Sequence, residues 1–486
     1  MSALGHLTPG RLGRASARST SPGWLVVSAG AATAIALGGL IAVKPLFAVG
    51  AIGFVTLLVL PFAAPVTHLM VLLAFTAIVP YSVQKGLSVG PGLGVADVLV
   101  GAGLLRALLV LGGQALERRQ WVAWTAIGVF LAVVAVQTGR GLFAGEDAAQ
   151  AAYEGRVLMS WCTLLIAMPI VSDPAALRRL LKGGAVVGLL VGLWGLAQWM
   201  IDLPFGAAGD AGVRAGVRLT TSGRGQVQGA LFAFPVAALL AFAVLVSGQV
   251  RSMGGRLILG AVLLLNLLSL VLTFERTFYV ALLIGIGFVL LRAGTITRLR
   301  ALAWLLVFVV LTLPVLSTVA PGALTTARER VLSIGQYGSD NSVRFRVVET
   351  RHVVARIADQ PVAGSGLGAT IHWGRPYEQV KPQTTPFAHN ALLWLAWKVG
   401  IPATLLLLAL VLWAISTRAP PRAGGLFKAV RDGAQAALLV MLIVSVTFPS
   451  FAQRPITPVL GVLLAICLAP RIAFRAGATE EGRSSG

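Results

Sequence analysis

Arg276 lies in a short polar turn, residues 273–277, between two apolar segments of the sequence. A guanidinium group is planar, keeps its charge at any working pH and contacts two phosphate oxygens at once, so this turn is suited to phosphate recognition. The structural alternative is that Arg276 and the preceding Glu275 pair with each other and cap the two flanking helices.

A second basic segment, residues 341–357, has apolar residues at helical spacing and Ser342 as a candidate N-cap. The pattern predicts a basic, amphipathic helix that lies along a membrane surface. Either Arg344 or Arg346 then turns inward to a second phosphate, and the sequence leaves both open. Alternatively, all of its arginines extend toward lipid headgroups. The Gly-rich residues 364–368 that follow are more typical of a bend than of a phosphate cradle.

His389 and Asn390 stand where the polar stretch returns to an apolar segment. An imidazole titrates near neutral pH and is therefore a natural base for a hydroxyl group, although a lone histidine is more often a hydrogen-bonded structural residue. The sequence shows no His, Cys, Asp or Glu cluster with metal-ligand spacing, no paired carboxylates and no nucleotide-binding loop. We therefore expect no metal and no cofactor.

The composition describes the elements that must position these residues. Of the 486 residues 57% are hydrophobic and only 12% are charged, and the mean hydropathy is +0.86. Such a chain is neither an ordinary soluble enzyme nor a disordered protein. It is predicted to be an all-α polytopic membrane protein. Its net charge of +22 then reflects topology and contact with anionic lipid or phosphate, and we expect no nucleic-acid partner.

Apolar stretches of about 20 residues are long enough to cross a bilayer. The weakest two flank Pro61 and Pro65 and alternatively form one broken hairpin, so we predict 12 to 14 transmembrane helices. The candidate spans are residues 24–43, 46–62, 66–80, 93–112, 121–138, 156–172, 183–201, 227–247, 257–273, 278–292, 299–318, 391–414, 435–449 and 455–469.

The distribution of Lys and Arg predicts which ends of the spans are cytoplasmic. With the N-terminus inside, the inner segments carry 20 positive residues and the short outer segments carry nine. The prediction is a cytoplasmic tail over residues 1–23, a transmembrane domain over 24–470 and a second cytoplasmic tail over 471–486. Within the domain, residues 319–388 form one large, partly helical extracytoplasmic loop, which is the only polar stretch large enough to be a site in its own right.

Three motifs of the sequence resemble motifs of the O-antigen ligase-related family of membrane glycosyltransferases. They occur in the family's order and lie on the same predicted side of the membrane. They are the turn that ends in Arg276, the segment from Ser342 to the P-x-x-G-x-G run that begins at Pro361, and the His389-Asn390 start of a long apolar helix. The resemblance covers about residues 255–415. One departure is Glu275, since the family commonly has a small or hydroxyl residue before the arginine.

The resemblance implies a bacterial plasma-membrane enzyme that moves a glycan from a polyprenyl-diphosphate carrier to an acceptor hydroxyl outside the membrane, without a metal. Arg276 and Arg346, or Arg344, would bind the diphosphate, and the spacing to Pro361 favours Arg346. His389 would accept the proton of the attacking hydroxyl, with inversion at the anomeric carbon, and Asn390 and Glu275 would support the site. Membrane lipids and a glycan or lipid acceptor are the expected partners.

Three other interpretations remain open at this stage. A polymerase of the same family would join one lipid-linked glycan to another, and the three motifs do not distinguish a polymerase from a ligase. A transporter would carry charges and broken helices near the midplane, whereas most charges here gather at the outer face and only Asp97, Arg106 and Lys398 are placed well inside spans. A catalytically inactive scaffold is the third.

Overall fold

A computed structural model gives the structure of the chain over most of its length. Residues 24–43 and both tails lie outside the described part, as do segments of the loop predicted over 319–388. The described residues are 45–79, 88–90, 93–111, 117–201, 230–319, 325, 328, 341–373, 383–418 and 424–469.

Helices dominate the described residues and confirm the predicted all-α fold of a polytopic membrane protein. They are α1 (Pro45–Ala63), α2 (Pro65–Ile78), α3 (Val95–Leu111), α4 (Arg118–Phe143), α5 (Ala148–Met159), α6 (Thr163–Val171), α7 (Pro174–Ile201), α8 (Ala233–Ser247), α9 (Met253–Val271), α10 (Arg276–Arg292), α11 (Thr295–Val319), α12 (Asn341–Asp359), α13 (Ala391–Val399), α14 (Ile401–Ser416), α15 (Gly425–Val444) and α16 (Thr457–Leu468).

Two short antiparallel strand pairs accompany the helices in the described part of the chain. Strand β1 (Ser88–Gly90) pairs with β2 (Leu93–Gly94), and β3 (Ile371–Trp373) pairs with β4 (Gln383–Thr385). The second hairpin precedes His389 by a few residues and packs against α12.

Several of the helices are suited to a bilayer, because a helix satisfies all its backbone hydrogen bonds internally. Among the described residues, five helical stretches are long and apolar enough to cross it: Arg118–Phe143, Ala148–Val171, Pro174–Met200, Met253–Val271 and Thr295–Pro314. The second of these comprises α5 and α6, which the 3-10 helix Ser160–Cys162 joins. Others, including α8, α14 and α16, are apolar but shorter. The chain is a multi-pass membrane protein, and the total of 12 to 14 spans stays a prediction.

The predicted span over residues 391–414 is wrong as a single helix. It divides at Gly400, which has a φ of +87°, into α13 and α14. A Cβ atom at this position would lie 2.0 Å from the carbonyl oxygen of Val362, so only glycine permits the chain to approach here. The amide of Ile401 donates to the carbonyl of Pro361 at 2.8 Å instead of continuing the helix.

The chain divides into two units between Leu57 and Leu58. Within the second, α8 packs against α9 and α15, α10 packs against α15, and α6 packs against α16. Both α6 and α16 are buried on nearly every side, whereas α11 exposes Leu302, Leu306 and Val310. A helix that is apolar all round and buried belongs to the core of the bundle, and the apolar exposed face of α11 is the kind of surface that faces lipid.

Candidate active site

The Arg276 turn joins the end of α9 to the start of α10. Its backbone is held from within: the buried Thr273 hydroxyl donates to the carbonyl of Leu270 at 2.7 Å and accepts from the amide of Glu275 at 3.3 Å. Phe274 has a φ of +54°, a conformation that is uncommon for a non-glycine residue and marks a constrained turn. Arg276 is the first residue of α10 and is half-buried.

Helix α12 shows which of its arginines faces the bundle. Arg344 is exposed, whereas Arg346 is half-buried, with its guanidinium carbon 5.7 Å from the centre of the Phe448 ring. At this distance a cation is attracted to the face of an aromatic ring. The structure therefore directs Arg346 toward the turn after α15, in agreement with the spacing to Pro361 that favours it.

His389 is held by a carboxylate from α12. Its Nδ1 atom lies 3.0 and 3.1 Å from the two carboxylate oxygens of Glu349, and its backbone amide donates to Glu349 Oε2 at 3.0 Å. The Glu349 side chain is 4% exposed and that of His389 is 31% exposed. The imidazole is thus anchored at one edge and accessible elsewhere.

The turn after α15, residues 445–448, connects the starts of α10 and α13. The carbonyl of Ser445 accepts from the amide of Ala391 at 2.8 Å, and the hydroxyls of Thr447 and Thr277 lie 3.1 Å apart. The ring of Phe448 packs against that of Phe278 at 5.4 Å between centroids, in addition to its contact with Arg346.

These contacts form a circuit of contacts at one end of the bundle, in which the 273–277 turn, α12 and the start of α13 each contact the 445–448 turn or one another. Thr277 follows Arg276 directly, and Ala391 is two residues after His389. The 445–448 turn therefore contacts the chain beside both Arg276 and His389. Glu349, three residues after Arg346 on α12, completes the circuit by contacting His389. The three segments singled out in the sequence therefore converge on a single turn.

Asn390 has a structural role at this end of the bundle. Its Oδ1 atom accepts from the amides of Leu392 and Leu393, both at 3.0 Å, and so caps the N-terminus of α13. The cap fixes where α13 begins and hence where the neighbouring His389 stands. Asn390 supports the site by placing the helix.

The Gly-rich loop after α12 packs between helices and has no free amides to cradle a phosphate. Five consecutive backbone N–H groups donate within the protein: Gly364 to Gln360, Ser365 to Trp397, Gly366 to Lys398, Leu367 to Gln137 and Gly368 to the Glu154 carboxylate. The run is a packed bend, as its sequence favoured.

Two of the three charges predicted inside spans, Lys398 and Asp97, are paired. Lys398 Nζ lies 3.0 Å from both carboxylate oxygens of Glu154, and neither side chain is more than 2% exposed. Asp97 contacts Arg454 at 3.1 Å and Arg156 at 3.6 Å. Pairing is what allows charges to be buried, so these groups stabilise helix contacts.

Two further histidines make hydrogen-bond contacts of their own. His68 is buried, with Nε2 2.9 Å from the carbonyl of Leu99, and the exposed His372 contacts the Thr384 hydroxyl at 3.0 Å. Among the described residues no group of three or more His, Cys, Asp or Glu side chains is arranged to hold a metal ion.

A cavity of about 220 Å³ lies at the opposite end of the bundle. Arg292, Lys428 and Asp432 contribute its charged lining, and Arg292 is held by Asp432 at 3.6 Å and by the side chain of Gln435. None of the candidate site residues lines it. The cavity is therefore distinct from the site around Arg276, Arg346 and His389, and its own Arg292 is already paired with Asp432.

Glu349, like the 445–448 turn, is a part of this site that the sequence did not single out. It lies within a helix with four arginines, where a single carboxylate is naturally read as a surface ion-pair partner. The available signal was its spacing: Arg346 and Glu349, three residues apart, share one face of a helix. No local pattern indicates that this face meets a residue 40 positions later.

Comparison with known protein families confirms the resemblance inferred from the motifs. Residues 259–408, which are 150 of the 486 residues, match the model of the family described as O-Antigen ligase. The matched range contains Arg276, Arg346, Glu349 and His389. A comparison with curated proteins found no match.

Proposed function

We propose, from the match to O-antigen ligases, that this protein transfers a glycan from a polyprenyl-diphosphate carrier to an acceptor hydroxyl on the outer side of the bacterial plasma membrane. The observation that carries the proposal is the circuit of contacts around residues 445–448, which brings the Arg276 turn, Arg346 and His389 to one end of the bundle. By the distribution of positive residues this is the extracytoplasmic end.

The arginines act on the leaving group. The bond to be broken joins the anomeric carbon of the glycan to a diphosphate oxygen, which gains negative charge as the bond lengthens. Arg276 and Arg346 bind that diphosphate, and cations held in place by the protein stabilise the developing charge without a metal. Before substrate arrives, the ring of Phe448 contacts the guanidinium group of Arg346, and the hydrogen-bonded 273–277 turn fixes the backbone beside Arg276.

His389 acts on the acceptor. It takes the proton of the acceptor hydroxyl as the oxygen bonds to the anomeric carbon from the face opposite the diphosphate. Attack from that face inverts the configuration of the carbon. The polyprenyl chain lies against apolar helix surface in the bilayer, since its CH₂ and CH₃ groups gain nothing from water. The whole step needs one base and two cations.

The test is glycan transfer in liposomes that contain the purified protein and a labelled polyprenyl-diphosphate-linked glycan. We expect Arg276→Ala, Arg346→Ala and His389→Ala each to lower the rate by about 10²–10³-fold, the loss typical for one charge-stabilising donor or base. Arg351→Ala, on the exposed side of α12, is the matched control. Near-normal transfer by all three site variants would refute the proposal.

A polymerase is the second candidate, because the same match covers ligase- and polymerase-like function. The same liposomes distinguish the two. A ladder of longer lipid-linked glycans identifies a polymerase, whereas label on a chemically different acceptor identifies a ligase. Both outcomes use the same diphosphate-binding arginines and the same base.

A further inference from the structure

We infer that Glu349 is a positioning residue that holds the His389 imidazole with its Nε2 atom toward the acceptor hydroxyl. The inference rests on the proposed function, because it assigns a partner to the base of that reaction. It begins from the geometry of the pair, in which both Glu349 oxygens lie within 3.1 Å of Nδ1 and Oε2 also accepts the backbone amide of His389.

The Glu349 carboxylate is nearly inaccessible to solvent, with 4% of its side chain exposed. Burial of a carboxylate is costly unless it is hydrogen-bonded or paired. Here the groups shown to contact it both belong to His389, the ring and the backbone amide. The carboxylate is therefore committed to the histidine and fixes the ring and the main chain of the same residue together.

This contact selects one tautomer of the imidazole. An ionised carboxylate only accepts hydrogen bonds, so the Nδ1 atom that faces it must carry a proton and donate. In the neutral ring Nε2 then carries the lone pair, and only that atom can accept a proton from a hydroxyl. The pair makes Nε2 the basic atom.

Two aromatic rings restrict rotation of the imidazole. Phe345 lies edge to face with it, 5.6 Å between centroids at 89°, and Phe387 lies at 5.2 Å and 78°. The side chain of His389 is 31% exposed, and its Nε2 atom is not among the buried nitrogen and oxygen atoms of the described residues that lack a hydrogen-bond partner. The accessible edge is therefore the one that carries Nε2.

The reaction step is balanced with these groups. As the acceptor oxygen bonds to the anomeric carbon, its proton moves to Nε2, the carbon–diphosphate bond breaks, and the electron pair leaves with the diphosphate oxygen. The imidazolium that forms lies beside the Glu349 carboxylate, which stabilises its positive charge. Solvent removes the proton after the product glycan leaves.

The experiment combines kinetics with ¹⁵N NMR of the histidine rings in the full-length protein in lipid. Wild-type His389, identified by comparison with His389→Ala, should show a protonated Nδ1 and a bare Nε2 when neutral. In Glu349→Gln the amide NH₂ can donate to Nδ1, so the tautomer should reverse. We expect kcat to fall by about 10²-fold, with the KM for the lipid-linked donor changed less than about twofold, since the arginines remain. Glu349→Asp should recover part of kcat.

Asp359→Asn is the matched control, because Asp359 is an exposed carboxylate on the same helix that pairs with Arg356 at 3.9 Å. Wild-type kcat or an unchanged tautomer in Glu349→Gln overturns the inference. If that variant does not fold, a protonated Nε2 in the neutral wild-type ring overturns it, and a bare Nε2 supports it. Absence of transfer by the wild type refutes the proposed function instead, and the NMR result still decides the placement of the proton.

Discussion

Replacing Lys398 by methionine should destabilise the protein by several kcal/mol. The ammonium group lies 3.0 Å from both oxygens of Glu154, and the two side chains are 0% and 2% exposed. Methionine keeps the apolar length of the side chain and removes its charge. The Glu154 carboxylate would then stay buried with the amide of Gly368 at 2.8 Å and the side chain of Gln150 at 2.9 Å as neutral donors.

The magnitude follows from the burial of both partners. Removal of one member of a buried ion pair typically costs about 3–5 kcal/mol, because it leaves a charge without compensation. Removal of both charges in Glu154→Gln/Lys398→Met leaves no such charge, so the double variant should be more stable than Lys398→Met alone. The non-additivity between the two sites distinguishes loss of the ion pair from loss of packing.

The assay is SDS-induced unfolding in mixed micelles, followed by tryptophan fluorescence. Lys182→Met is the control, because Lys182 is an exposed lysine on α7. We expect Lys398→Met to unfold at a much lower SDS fraction than the control, and the double variant to recover part of the difference. Two results would refute this reasoning. One is that Lys398→Met unfolds at the same SDS fraction as Lys182→Met. The other is that the double variant loses as much stability as Glu154→Gln and Lys398→Met lose in sum.

Three other predictions concern the same half of the molecule. Arg346→Ala should slow transfer by about 10²–10³-fold and the exposed Arg344→Ala by less than about 10-fold; initial rates decide, and equal losses would contradict the orientation of α12. Gly400→Ala should cost at least about 1–3 kcal/mol, because its Cβ would meet the Val362 carbonyl at a positive φ; SDS unfolding measures this. Asn390→Ala should cost about 1 kcal/mol, with Asn390→Ser much closer to wild type, since only the serine can still cap α13; the same unfolding assay tests it.

Local features of the fold could be predicted from the sequence because their causes lie within a few residues. The 273–277 turn separates two apolar runs, and α9 and α10 end and begin beside it. The Asn390 position at the start of an apolar helix is likewise visible, because a cap acts on amides two and three residues later. Patterns that act over a few neighbouring residues can be recognised in a single sequence.

Features that depend on distant partners could not be predicted. Glu349 meets His389 across 40 positions, and Glu154 meets Lys398 across 244. The break at Gly400 was missed because glycine and proline are tolerated inside membrane helices. The glycine is required because the carbonyl of Val362, 38 positions earlier, approaches its Cα atom. Helix α15 begins ten residues before the predicted span at 435, because Lys428, Arg431 and Asp432 interrupt the apolar run without ending the helix.

Arg346 and Glu349 occupy one turn of a single rigid helix, so any tilt or slide of α12 carries the cation and the carboxylate together. In the proposed reaction, Arg346 therefore cannot move toward or away from the diphosphate without also moving the carboxylate that orients the base, whereas Arg276 belongs to α10. For the proposed function, this linkage ties the hold of one arginine on the leaving group to the alignment of the base.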